Sequence, residues 1–259
     1  MPATPQELVL INEVAALTMK VARSLLWHDV REPWPKRLPG ASCFILRFNS
    51  GLVGVTAGHV ITAFEEARRQ VGQIVSFLRT VRFDLANSII DRDAKLDLAT
   101  FRVTEEQLIE SEAVALDCRQ EWPPPTPDRG REISFAGFPE SLKEGAWPHS
   151  REFRAFANMT WVEDITDRRI IATYRPDRDI RVQAAPDIPD LGANWSGCSG
   201  GPVLMHVERN GFHRWFPAGL IVGGPGESSD GAMQDFDTFF FSRIHFLEPN
   251  GLIRNPDNR

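Results

Sequence analysis

Apolar residues open the chain on a helical period. Leu10, Val14, Leu17, Val21 and Leu25 recur at steps of four, three, four and four, one stripe of a helix. Thr4, Pro5 and Glu7 supply an N-cap, a first-turn proline and the glutamate of a capping box. Pro33, Pro35 and Pro39 close the segment and lead to Gly40. The stripe predicts a helix packed on the body of the protein, and such a helix could also receive a protein partner.

From Ala41 the period shortens. "SCFILRF" and "LVGVTA" are β-branched or aromatic runs divided by the turn sequence "NSG". After His59, "VITAFEEARRQ" reads as a brief helix, and "IVSFLRTVRF" and "LDLATFRV" return to strand composition. Residues 121–130, "EWPPPTPDRG", carry four prolines, which forbid a helix interior or a central strand and predict a connector between two halves. Beyond it, "EISFAGFP", "RIIATY", "GPVLMHV", "WFPAGLIVGG" and "TFFFSRIHFL" are strand-like again. Many short strands punctuated by Gly and Pro predict an all-β barrel or sandwich and not a parallel α/β sheet.

Composition narrows the classes. With 42% hydrophobic and 25% charged residues over 259 positions, the chain can bury a large core. Its net charge of −6 lacks the clustered Lys/Arg of a nucleic-acid binder. Arg168, Arg169, Arg175, Arg178 and Arg181 do cluster, but Asp164, Asp167, Asp177 and Asp179 interleave them, which reads as a solvated face. Cys43, Cys118 and Cys198 are an odd number with no disulfide framework, so a reducing compartment is expected. "MPATPQELVLINEVAALTMK" has no basic start, and Glu7, Asn12 and Glu13 interrupt its apolar residues, unlike a secretory signal. No window reaches the roughly 18 apolar residues of a membrane helix. The expectation is a cytoplasmic protein with neither nucleic acid nor membrane as partner.

Candidate chemistry concentrates in "WSGCSGGPV", residues 195–203. A phosphate-cradling loop would need a lysine and a following helix, whereas Pro202 and a strand-like run follow here. A nucleophile-bearing loop remains, with Ser196, Cys198 and Ser199 as candidates. A nucleophile needs a base, a group that orients the base, and donors for the developing oxyanion. "TAGHV" places His59 just past a strand, and "KLDLATF" sets Asp97 between two leucines, where a half-buried carboxylate needs a partner. Gly197 offers a backbone N–H with no side chain in the way, to act with that of Ser199. No CxxC or HExxH pattern is present, so neither metal nor other cofactor is implied.

"TAGHV", "LDLAT" and "GCSGGP", in that order, resemble the three signatures of the trypsin-like (chymotrypsin-fold) serine proteases, in their non-secreted, bacterial-type form. "FAGFP" at 135–139 resembles the first strand of that family's second barrel. "GLIVGG" at 219–224 and "FFFSRI" at 239–244 resemble the strands that border its specificity pocket. The resemblance spans roughly residues 40 to 248. It implies two antiparallel six-stranded β-barrels with an added N-terminal helix. A helix and Pro-rich lead-in would occupy 1–39, the first barrel 40–120, the connector 121–130, and the second barrel with its tail 131–259.

By the same resemblance His59 is the general base, Asp97 its orienter and Ser199 the nucleophile of an endopeptidase, with Gly197 and Ser199 as oxyanion amides. Ala193 takes the pocket-base position. Asn194, Ser196, Val222, Gly223, Gly224 and Phe239 complete the pocket. With no acid at Ala193, the implied preference is for small or modest apolar P1 residues of a protein or peptide and not Arg or Lys. Glu227 or Asp230 could enter from the loop after Gly224 and change that. Asp84, Asp91 and Asp93 rival Asp97, but their polar context reads as solvated loop.

Several positions depart from the family. Cys198 stands where the zymogen-activated members carry an aspartate, and no "IVGG"-like start precedes the first barrel. Activation by N-terminal insertion is therefore not implied, and something else must order the loop. Cys198 reads as small filler beneath it and Ser196 as pocket rim. Val60 stands where secreted members carry a cysteine. The alternative reading is a catalytically latent protein or pseudoprotease that binds a peptide or a partner protein through the same cleft.

Overall fold

The computed structural model of the chain describes residues 13–14, 16–31, 39–139, 143–146, 150–153, 155–175, 180–181, 195–224 and 238–258. A helix, α1, runs over 16–21. Eight strands then build a first sheet: β1 (Arg23–Asp29), β2 (Gly40–Phe48), β3 (Gly51–Thr56), β4 (Ile74–Leu78), β5 (Val81–Phe83), β6 (Ile89–Asp93), β7 (Leu98–Val103) and β8 (Ala115–Asp117). Their order is β5-β4-β1-β2-β3-β7-β6, with β8 added parallel to β2. Helices α2 (Gly58–Val71), α3 (Leu85–Ser88) and α4 (Glu105–Glu110) lie between these strands in sequence.

The second sheet takes β9 (Glu132–Gly137), β12 (Phe156–Trp161), β13 (Asp164–Ile165), β14 (Arg169–Thr173), β15 (Ile180–Arg181), β16 (Pro202–Arg209), β17 (Phe212–Gly223) and β18 (Thr238–Arg243). A separate hairpin joins β10 (Lys143–Ala146) to β11 (Ser150–Phe153). The sheet order is β13-β14-β18-β17-β16-β9-β12-β15. Both sheets curl into antiparallel half-barrels, and the two-barrel all-β fold is present. Each sheet counts eight strands where six were expected, because segments of two or three residues are added, β5, β13 and β15 at the ends of the paths and β8 alongside β2.

The helical stripe stops short of its predicted end. It was expected to run through Leu25, but the chain is already strand at Arg23, and β1 pairs with β2 on one side and β4 on the other. The reason lies in "RSLLWHD". Ser24, Leu25, Leu26 and Trp27 are all buried, and a central strand covers both of its faces whereas a surface helix covers one.

Helix α1 itself docks on the other half of the molecule. Thr18 Oγ1 and Ser134 Oγ on β9 share a hydrogen bond of 2.8 Å, and Val14 packs with Met159 and Trp215. Ala22 meets Ala136 and Ala157. The N-terminal segment thus leaves the second sheet to enter the first.

The larger core holds Phe44, Ile45, Phe64 and Phe101, and it is continued by Leu204, Leu220 and Ile244 from the second half. A second core gathers Phe135, Phe156, Trp195, Phe239 and Phe241. Residues 118–131 between β8 and β9 hold neither helix nor strand. There Trp122 packs edge-on to Phe48 at 4.9 Å and donates from Nε1 to Leu247 O at 2.8 Å. Among the described residues, no helix is long and apolar enough to cross a membrane.

Candidate active site

His59 and Asp97 stand at the ends of two neighbouring strands. Strand β3 ends at Thr56, Ala57 is extended, and α2 begins at Gly58, so His59 lies in its first turn. Asp97 closes the turn into β7 with φ of +52°, a left-handed conformation that Asp tolerates better than most residues. Its Oδ1 accepts the His59 backbone N–H at 2.7 Å, and its Oδ2 lies 2.8 Å from His59 Nδ1. A carboxylate accepts, so Nδ1 carries the proton and Nε2 the lone pair of the neutral ring. The Asp97 side chain is 18% exposed and that of His59 46%, a covered acid beneath a reachable imidazole.

Gly58 makes this approach possible. A Cβ there would lie 3.1 Å from Asp97 Oδ1 and 3.2 Å from Leu98 N. Behind Asp97, Arg169 on β14 donates to Leu96 O at 2.8 Å and to Ser242 Oγ at 3.1 Å. Burial lowers the Arg169 pKa and the nearby Asp97 charge opposes that shift. This arginine therefore turns inward between the two halves and does not join the solvated face expected for its cluster. Arg168 does stay at the surface, paired with Asp257.

Of the three rival aspartates, Asp84 is exposed just before α3, as expected of solvated loop, whereas Asp91 and Asp93 lie on β6 and are bonded to the C-terminal segment. Asp84 caps α3 through Asn87 N, Asp91 Oδ2 accepts from Ile253 N, and Asp93 accepts from Leu96 N and Asn255 Nδ2.

The stretch from Trp195 to Gly201 is two consecutive turns. Cys198 N donates to Trp195 O at 3.0 Å, and Gly201 N donates to Cys198 O at 2.9 Å. The third residue of each is a glycine with positive φ, +94° at Gly197 and +86° at Gly200, while the serines before them keep negative φ. Both are type II turns, which demand that conformation and so favour glycine. Gly200 is also a contact point: a Cβ there would sit 2.2 Å from both Ser42 O and Thr56 Oγ1, and 3.0 Å from Ala57 N. The turn bearing Ser199 is thereby seated on the residues that lead into His59.

Ser199 is 8% exposed, and its carbonyl accepts from Ser42 N at 2.9 Å. Among the described residues, neither the Gly197 nor the Ser199 amide donates to a protein acceptor. Cys198 is buried against Gly137, where a Cβ would come within 2.8 Å of the Cys198 Cα.

Of the expected pocket residues, Ala193 and Asn194 lie outside the described residues, as do Glu227 and Asp230. Ser196 is exposed at the tip of the first turn, and Val222 and Gly223 are half-buried at the end of β17. Gly224 is buried with its Cα hydrogen side toward Trp195 and Phe239, each 3.2 Å from where a Cβ would stand. Phe239 is fully buried in an aromatic group, with ring centroids 5.0 Å from Trp195 and 4.7 Å from Phe135.

Sequence reasoning missed Ser42, Gly58, Gly137, Arg169 and Trp195. Gly58 lies inside "TAGHV" and Trp195 opens "WSGCSGGPV", so both could have been found from those motifs. Compared with known proteins, the chain matches no family model and no curated sequence.

Proposed function

We propose that the chain is a serine endopeptidase of the trypsin-like kind, acting on protein or peptide substrates without a metal or organic cofactor. The observation that carries this reading is the doubly bonded Asp97–His59 pair beside a turn whose Gly197 and Ser199 amides have no acceptor among the described residues. Ser199 Oγ attacks the scissile carbonyl carbon and its proton passes to His59 Nε2, while Asp97 stabilises the imidazolium. The carbonyl oxygen takes the negative charge and accepts the N–H groups of Gly197 and Ser199. Collapse breaks the C–N bond, and His59 returns the proton to the departing amine, leaving an ester on Ser199. Water then attacks that ester through the same base, releasing the acid and restoring the hydroxyl.

The buried Trp195 and Phe239 beside Gly224 support a shallow, apolar specificity pocket that takes small or modest apolar P1 residues. Three buried free thiols, Cys43, Cys118 and Cys198, suit a reducing, cytoplasmic setting.

The test is cleavage of a quenched-fluorescence peptide library by the wild type and by Ser199→Ala. Expected are cuts after small apolar residues, lost by at least about 10³-fold in the variant. Cleavage retained in Ser199→Ala would remove the nucleophile assignment, and a profile dominated by P1 Arg would remove the pocket assignment.

A further inference from the structure

We propose that Ser42 is a positioning residue that seats the oxyanion turn against the strand that leads into the base. The inference rests on the peptidase reading above. Ser42 lies on β2, in the sheet that carries His59 and Asp97, and is fully buried. It spends every polar atom on this junction. Its N–H donates to Ser199 O at 2.9 Å, and its Oγ donates to Gly197 O at 2.7 Å. The same Oγ accepts from Phe138 N at 2.9 Å, and Ser42 O accepts from Thr56 Oγ1 at 2.8 Å.

The geometry explains what these bonds fix. Each peptide unit is planar, so holding a carbonyl holds its whole plane. Ser42 holds the planes that follow Gly197 and Ser199. The plane between them carries the Ser199 N–H, and its own carbonyl, that of Cys198, is taken by Gly201 N. That oxyanion donor is therefore fixed from both sides. Thr56, the fourth partner, ends the strand three residues before His59. One residue thus ties the turn of the nucleophile to the strand of the base.

Any residue but proline at position 42 would keep the two backbone bonds. The hydroxyl alone reaches Gly197 O and Phe138 N, and Gly197, at φ +94°, has the backbone freedom to drift once released. Cys198, between the two held carbonyls, is buried against Gly137.

The experiment compares full-length wild type, Ser42→Ala and Ser42→Cys on a chromogenic peptide ester. Active sites are counted by the acyl-enzyme burst, at a temperature where each melt shows a folded protein. Displacement of reacting groups by about 1 Å costs on the order of 10²-fold, so Ser42→Ala should lose about 30- to 100-fold in kcat per active site, with KM within about threefold. Ser42→Cys, with a weaker donor of similar shape, should fall between the two. A hydroxyl that merely satisfied Phe138 N would lower the melting temperature and leave kcat per site unchanged, and that result overturns the proposal. If Ser42→Ala does not fold, Ser42→Cys decides alone: reduced kcat supports the proposal and wild-type kcat overturns it. A wild type with no burst and no turnover refutes the peptidase reading itself, which is separable from a wild type that turns over and variants that equal it.

Discussion

Asp97 holds His59 at two points, taking its backbone N–H on Oδ1 and its ring Nδ1 on Oδ2. The first bond fixes the start of α2, and the second fixes the ring relative to that backbone. Rotating the imidazole therefore breaks a charge-assisted bond to a covered carboxylate. Asp97→Asn keeps the left-handed turn, since Asn tolerates that conformation, but presents an amide that can force the wrong tautomer. Turnover should fall about 10³- to 10⁴-fold with a near-normal melting curve. Steady-state kinetics beside calorimetry checks it, and a loss below tenfold would mean that Asp97 does not orient the base.

Gly200 and Gly211 both have positive φ, +86° and +78°, but only Gly200 is crowded. Gly200→Ala would drive a methyl into Ser42 O and Thr56 Oγ1, so we expect a loss above about 3 kcal/mol or failure to fold. Gly211, in the Asn210–Gly211 hairpin turn, has nothing within 4 Å, and its alanine variant should lose about 1 kcal/mol of strain alone. Urea unfolding of the pair reads the difference, and equal losses would contradict the close approach at Gly200.

Much of the site was legible because its cues are local. A histidine after a strand, an aspartate between leucines and glycines in a tight turn each carry their meaning within a few residues. Ser42 carries no such cue, since the Gly197 carbonyl it holds is 155 positions away. Arg169 sat in a basic run, and its inward turn follows from acceptors 73 positions distant at Leu96 and Ser242. The start of β1 was lost for another reason. Leu25 fits the helical stripe as well as it fits a strand, and pairing with β4, which only the fold brings alongside, decides between them.

Helix α1 should stabilise the whole molecule through its bond to the second sheet. Thr18→Val leaves Ser134 Oγ buried without this partner, which should cost about 1–3 kcal/mol. Adding Ser134→Ala should recover part of the loss, giving a coupling of about 1 kcal/mol in a double-mutant cycle. Additive losses would mean that the two hydroxyls do not interact.

The stability should fall in mild acid through His245. Burial, helped by the Arg243 charge, pushes its pKa from 6.5 down to about 4. Between those values the unfolded chain binds a proton that the folded chain refuses. This stability is therefore intact above pH 6.5 and is lost as the pH falls toward 4. His245→Gln should flatten the unfolding free energy over that window. A slope equal to that of the wild type would show that other groups dominate it.

Cysteine chemistry should be silent in the folded protein. Burial pushes the thiols of Cys43 and Cys118 up to about 12, and Cys198 is enclosed beneath its turn. Iodoacetamide at neutral pH should leave turnover intact and modify all three only after unfolding. Rapid inactivation with alkylation at Cys198 would reassign the nucleophile.

The most direct test is the site of covalent capture. A fluorophosphonate should add once to the folded wild type, with peptide mapping placing the adduct on Ser199. The adduct should vanish in Ser199→Ala and form at least about 10²-fold more slowly in His59→Ala. An adduct on Ser196 or Cys198, or none on the wild type, would contradict a Ser199 nucleophile served by His59 and Asp97.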